Sequence, residues 1–318
     1  MNFYIILALS AFLISLLGTR LTILARRGRI KPSLAVLRGD APEPPPGGGG
    51  IVIVVALAIG LLMADVDYSI VLALFLLAAV SLLDELIGVA APIKLLTQLV
   101  SVTIPLSTVH TAIWGGGLPL WLDKTLIAAA WIWFIRMFDR MDGMEGLAAT
   151  EAVCVAGGLC LLSVMAGDLP KTLFSYSLVT ATATVGFLWW NWHPAKILLG
   201  EVGCVPLGFL SGYLLLLAAA HGYTFAALIL PAYAFADGAI TALRRFGRHY
   251  YHEAANNGWR PDRVVRHVLG VNLLLVLLAT LSTLCPPIAL VILAVAYMSV
   301  FMLLGFFAHT AAETHHEG

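Results

Sequence analysis

Between Trp131 and Thr150 the chain reads WIWFIRMFDRMDGMEGLAAT, which packs Arg136, Asp139, Arg140, Asp142 and Glu145 around Gly143 and Gly146. Asp142 and Glu145 are three apart, so on a helix they would share a face. Similar acids recur at other points: Asp84 and Glu85 in SLLDELIG, Glu201 in NWHPAKILLGEVGC, and Asp237 in YAFADGAI. Taken singly, a carboxylate at a helix end is solvated or complements a helix amino terminus. As a converging set they would repel unless a cation sat among them. Hard oxygen donors, with no paired Cys or His, point to Mg²⁺ or Mn²⁺. Glycines accompany the acids (Gly88, Gly143, Gly146, Gly200, Gly203), and PPPGGGG runs from Pro44 to Gly50. Glycine lets backbone N–H groups approach a phosphate or sugar closely. A basic stretch from Ala242 to Arg266 adds Arg244, Arg245 and His249, suited to phosphate. Arg260, Arg263 and Arg266 read instead as topogenic charge facing anionic headgroups.

The elements that must position these groups are apolar. Of 318 residues, 60% are hydrophobic and 11% charged, against about 25% charged in an ordinary soluble domain. Lipid must replace water as the main solvent, and the continuous apolar runs exclude the alternation of a β-barrel. The expectation is an all-α, polytopic membrane protein with about 11 transmembrane helices. The runs lie near 2–22, 49–65, 68–83, 93–112, 122–138, 147–166, 171–190, 202–220, 223–243, 267–284 and 287–308. The first has no basic stretch before it, so it reads as a retained helix. Alternating the loops puts every Lys and Arg except Lys124 and Lys171 on the side of the first loop. That side is then cytoplasmic, with the amino terminus opposite. The acids Asp84, Glu85, Asp139, Asp142, Glu145, Glu201 and Asp237 sort to the same face. The chain reads as a single integral membrane domain, 1–318, with cytoplasmic loops at about 23–48, 84–92, 136–146, 191–201 and 244–266. Cys154, Cys160, Cys204 and Cys285 lack metal or redox spacing and read as small apolar residues.

The order LLDE, then MDGMEGLA, then NxxPAxxxxGExG, then RR…HYY…GW resembles the polyprenyl-phosphate N-acetylhexosamine-1-phosphate transferases. The likeness runs from Gly47 to the His249 loop. It implies transfer of a sugar-1-phosphate from a UDP-sugar to undecaprenyl or other polyprenyl phosphate, with release of UMP and a requirement for Mg²⁺. The likeness is nearer to the bacterial branch that uses UDP-N-acetylhexosamine for O-antigen and related envelope glycans. It implies a multi-pass protein of the bacterial inner membrane with its active site facing the cytoplasm. Carried over by motif, Asp84 and Glu85 occupy the family's Asp-Asp pair. Asp142, Gly143, Glu145 and Gly146 occupy its Asp-Gly-x-Asp-Gly nucleotide pocket. Asn191, Pro194, Ala195, Gly200 and Glu201 occupy the motif whose final acid binds the metal, and His249 aligns with the second histidine of its His-x-x-His loop.

The resemblance therefore assigns Asp84, Glu85 and His249 to catalysis and Glu201, assisted by Glu85, to the metal. Asp142, Gly143, Glu145, Asn191, Arg136, Arg244 and Arg245 go to substrate. The partners implied are the UDP-sugar, polyprenyl phosphate and membrane lipids, with no nucleic acid; a homodimer is left open. Glu85, Glu145 and Glu201 stand where the family has aspartate, and Phe246 replaces the first loop histidine. Two rival readings follow from elsewhere: a catalytically altered scaffold, suggested by those replacements, and a transporter. The transporter would want ionisable groups at the bilayer midplane and matched repeats, which the sequence does not offer.

Overall fold

A computed structural model describes residues 2–26, 45, 47–109, 113, 117–244, 249–256 and 259–314. Arg245 and most of the first basic loop lie outside the described residues. The secondary structure among the described residues is helical. A chain this apolar has no water to satisfy its peptide groups, and a helix satisfies them within each segment. The helices are α1 (Asn2–Arg26), α2 (Gly50–Met63), α3 (Tyr68–Ile87), α4 (Ala91–Thr108), α5 (Leu120–Met141), α6 (Leu147–Ala166) and α7 (Lys171–Asn191). They continue with α8 (Glu201–Ala220), α9 (Thr224–Ile229), α10 (Ala232–Leu243), α11 (Tyr250–Asn256), α12 (Pro261–Leu284) and α13 (Ala289–Thr314).

Each expected apolar run coincides with helix, but the runs are not equivalent. Among the described residues, seven helices are long and apolar enough to cross a membrane by length and composition. They are α1, α3, α6, α7, α8, α12 and the segment Pro286–Ala308 that contains most of α13. The others have identifiable reasons for falling short. Helix α2 has only 14 residues. Helix α4 carries Lys94 and an internal Pro105. Helix α5 carries Asp123, Lys124, Arg136, Asp139 and Arg140. The ninth run is two helices, parted at Leu230 and Pro231, because proline cannot donate the next backbone hydrogen bond. Asp84 and Glu85 lie in the last turn of α3 rather than in a loop. Asp142 and Glu145 lie in the turn between α5 and α6, so helical spacing does not govern them.

Helix α8 is the hub, packed against α2, α3, α5, α6, α7 and α9. Small residues set these contacts, as packing between helices in lipid requires. A Cβ on Gly50 of α2 would lie 2.3 Å from the Gly203 nitrogen of α8, so the two backbones touch. Gly212 leaves room for the Trp131 indole, whose Nε1 donates to the Phe209 carbonyl at 3.0 Å. Trp190 of α7 likewise donates to the Leu16 carbonyl of α1 at 3.0 Å. Outward faces stay apolar, with Leu72 on α3 and Val291 and Met302 on α13 all exposed. A polar tie crosses the interior: Asn272 Nδ2 of α12 donates to Glu151 Oε2 of α6 at 2.5 Å, both residues being buried.

Candidate active site

Six helix ends deliver the polar residues to one end of the bundle. The last turn of α3 places Asp84, and the chain reverses through Gly88 to bring Lys94 back from the start of α4. Lys94 Nζ lies 2.6 Å from Asp84 Oδ2 and 3.6 Å from Glu201 Oε1, the first residue of α8. Asp84 Oδ1 also accepts from the Val89 N–H at 2.6 Å. Two carboxylates from separate helices thus close on a single ammonium. A cavity of about 60 Å³ opens beside them, lined by Lys94, Gln98, Arg136, Asp139 and Glu201.

The loop between α7 and α8 is clamped by the acids of the 142–146 turn. Asp142 Oδ2 accepts from the Gly200 N–H at 2.9 Å. Glu145 Oε2 accepts from the Ala195 N–H at 2.9 Å and meets His193 Nδ1 at 2.7 Å. Asn191, buried at the end of α7, completes the clamp. Its Oδ1 accepts from the Gly146 N–H at 3.0 Å and its Nδ2 donates to the Ile197 carbonyl at 2.9 Å. Gly146 and Gly200 hold φ of +78° and +73°, the left-handed region that an L side chain resists. At Gly200 a Cβ would also lie 2.6 Å from Glu85 Oε1. Burial pushes the Asp142 carboxyl up to about 6, opposed by the Cys204 thiol and the Gly200 N–H, with the charges of Asp139 and Glu85 adding to the rise.

A second cavity lies across α5. Trp133 and Arg140 line it together with Thr241, Ala242, His249 and His252. Arg136 and Asp139 line the first cavity, so the last turns of α5 divide the site in two. His249 Nδ1 lies 2.6 Å from Asp237 Oδ2, and the ring stacks on Tyr251 at 5.1 Å. Tyr251 in turn donates its hydroxyl to the Arg140 carbonyl at 2.8 Å. His252 sits over Gly143, 2.9 Å from where a Cβ would stand.

The structure therefore gathers Asp84, Glu201, Arg136, Asp142, Gly143, Glu145, Asn191 and His249 at one end. Glu85 does not line the first cavity; its Oε1 meets the Val202 N–H at 3.4 Å. Arg244 pairs with Glu253 at 2.8 Å and lies over the Tyr250 ring. Sequence reasoning passed over Lys94 as a site residue, the His193 partner of Glu145, and the Asp237–His249 pair. Lys94 had a signal: ten residues after Asp84, beyond a Gly-Val-Ala-Ala-Pro stretch, it must return to the same helix end.

Residues 68–219 match the family described as glycosyl transferase family 4. That stretch contains Asp84, Lys94, Asp142, Glu145, Asn191 and Glu201, the residues that meet around the first cavity and its clamp. The likeness to that family covers just under half of the chain. The chain is 30% identical over 166 residues to a probable undecaprenyl-phosphate N-acetylglucosaminyl 1-phosphate transferase of Bacillus subtilis, covering 49% of this chain and 45% of that one. It is 28% identical over 166 residues to the phospho-N-acetylmuramoyl-pentapeptide-transferase of Acinetobacter baylyi, covering 44% of each. The Wolbachia enzyme of that same name is 40% identical over 68 residues, 21% of this chain and 20% of that one. The matches to these relatives thus span less than half of each chain, and Asp237 and His249 lie beyond the matched segment.

Proposed function

We propose that this chain is a phosphoglycosyltransferase that moves a sugar-1-phosphate, by its motifs an N-acetylhexosamine-1-phosphate, from a UDP-sugar to polyprenyl phosphate. The reading places it in the bacterial inner membrane, with the site on the cytoplasmic face, initiating an envelope glycan. The observation that carries it is the closure of Asp84 and Glu201 on one ammonium, beside the clamp formed by Asp142, Glu145 and Asn191. That arrangement suits a substrate with concentrated negative charge delivered next to an apolar bundle.

In the reaction, an oxygen of the lipid phosphate attacks the donor's β-phosphorus. The new P–O bond forms as the bond from that phosphorus to the bridging oxygen breaks, and its electron pair leaves on UMP. The protein's share is placement and neutralisation of charge. Asp84 would take the proton of the lipid phosphate. Lys94 and Arg136 would meet diphosphate oxygens at the first cavity, and the Asp142–Glu145 turn would hold the nucleotide end. His249 would meet phosphate at the second cavity.

The donor set around Lys94 fits Mg²⁺ or Mn²⁺. Asp84 and Glu201 supply hard oxygens from two sides, already converging on a cation, and Mg²⁺ commonly uses one or two carboxylates plus water and phosphate. Among the described residues no three His, Cys, Asp or Glu side chains cluster tightly enough for a closed protein cage. Glu201 and Asp84 would hold the ion, and when bound it would supply charge neutralisation at the diphosphate. Glu85, aimed at the 200–202 backbone, would support this pair from behind.

The test is transfer of radiolabel from a panel of UDP-sugars into the lipid extract of membranes holding the protein, polyprenyl phosphate and Mg²⁺. Label is expected with one or more sugars and should be lost with Glu201→Gln, which keeps size and removes charge. Glu201→Asp should retain transfer. Folded wild-type protein that transfers no label from any UDP-sugar would overturn the reading.

A further inference from the structure

The second cavity contains a pairing that the family segment does not reach. Asp237 is buried and uses both carboxylate oxygens. Oδ2 lies 2.6 Å from His249 Nδ1, and Oδ1 accepts from the Tyr250 N–H at 3.2 Å. Thr241, one turn along the same face of α10, places its hydroxyl 3.4 Å from the same ring nitrogen. Tyr251 covers one face of the ring, and the His249 carbonyl accepts from the His252 and Glu253 N–H groups as α11 begins. The imidazole is therefore fixed in tilt, rotation and height by contacts from α10 and α11.

A carboxylate can only accept, so the ring nitrogen it meets must carry hydrogen. With Nδ1–H committed to Asp237, Nε2 is the nitrogen that serves the cavity. That cavity, about 540 Å³ and open, is lined also by Arg140 and His252. Arg140 supplies a cation to this lining, and every lining side chain except that of Ala242 carries a potential hydrogen-bond donor. A ring that also carries hydrogen on Nε2 can donate there to an anion in front. A neutral ring in the opposite tautomer would meet Asp237 with a lone pair and lose this arrangement.

We propose that Asp237 is a positioning residue that holds His249 with Nδ1–H inward and Nε2 toward the cavity, where it donates to a phosphate oxygen. This rests on the transferase reading for the identity of the phosphate, which belongs either to the polyprenyl phosphate or to the UDP-sugar. Asp237→Asn is the informative variant. Asparagine keeps the shape and the acceptor for Tyr250 N–H, but its amide can donate to Nδ1 and so select the Nε2–H neutral ring.

Nitrogen-15 spectra of histidine-labelled, detergent-solubilised full-length protein read the ring directly, with His249→Gln assigning the resonance. The wild type should show a protonated Nδ1 and an Nε2 that shifts on titration with inorganic phosphate. Asp237→Asn should lose the Nδ1 proton and, with only a neutral Nε2–H donor left, weaken the phosphate response. In the transfer assay the same variant should raise KM by about 10-fold or more for one substrate only, as for a lost charge-assisted contact. A rise for polyprenyl phosphate assigns the lipid phosphate, and a rise for UDP-sugar assigns the donor. A wild-type His249 with unprotonated Nδ1 would overturn the proposal even if the variant fails to fold. So would an Nε2 indifferent to phosphate. Absence of transfer in the wild type would sink the transferase reading alone, since the spectra need no turnover.

Discussion

Lys94→Met is the perturbation with the sharpest expected result. Methionine keeps the unbranched apolar stem of lysine and deletes the ammonium that Asp84 and Glu201 share. The contact to Asp84 is 2.6 Å and that to Glu201 is 3.6 Å. A divalent ion taking that place must first displace the ammonium. A hydrogen bond to a charged group contributes about 1.5–3 kcal/mol. Lys94 and Glu201 are each 31% exposed, so solvent screens the pair and the lower end applies. About 1.5 kcal/mol corresponds to about 10-fold in affinity. Purified Lys94→Met should therefore bind Mn²⁺ about 10-fold more tightly than the wild type, read from the spin-resonance signal of free Mn²⁺. Its sugar transfer should fall, because the diphosphate loses a cation. Glu201→Gln serves as the control and should bind Mn²⁺ more weakly. Equal or weaker Mn²⁺ binding by Lys94→Met would refute the view that the ammonium stands in the cation position.

Asn191→Ala removes two hydrogen bonds and leaves the Gly146 N–H and Ile197 carbonyl without partners, at about 1–3 kcal/mol for each group that stays buried; thermal unfolding in detergent should show it, and an unchanged midpoint would count against the clamp. Asp142 binds its proton more tightly folded than unfolded, since burial lifts it from 3.8 to about 6. Its contribution to stability is present below the ordinary carboxylate range and is lost as pH rises to about 6, so between about pH 4 and 6 the wild type should lose stability relative to Asp142→Asn. A constant difference across that window would contradict the assignment. Glu151→Gln should keep the tie to Asn272, whereas Glu151→Ala should orphan the Asn272 amide and cost about 1–3 kcal/mol, measured by the same unfolding assay.

The apolar runs were legible because lipid-facing helices need continuous stretches of apolar residues, and each run became helix. Boundaries were less so. Asp84 and Glu85 looked like loop residues because charge usually marks the water boundary, yet α3 continues through them to Ile87. The ninth run hid its break, since Pro231 sits among residues apolar enough to carry the pattern across it. The acids of the site were found by their company of glycines. Their partners were not, because Lys94, His193 and Tyr251 act through contacts that only the packed helices create. Glu145 shows the difference: spacing alone suggested a ligand, whereas the fold also engages it with the Ala195 N–H and His193.

The glycine crossing of α2 and α8 has a consequence for the protein in bilayers of different thickness. At 14 residues, α2 is about 21 Å long, short of a hydrocarbon layer of about 30 Å. A helix this short meets the mismatch by thinning the lipid around it. Its Gly50 end is pinned on Gly203, two residues from Glu201, and the Gly49 N–H donates to the Leu198 carbonyl at 3.1 Å. Adjustment therefore falls to the Met63 end, and the end beside Glu201 keeps its register. Acyl-chain length should leave turnover nearly constant, while a side chain at Gly50 would unpin the pivot and make turnover track the thickness of the membrane.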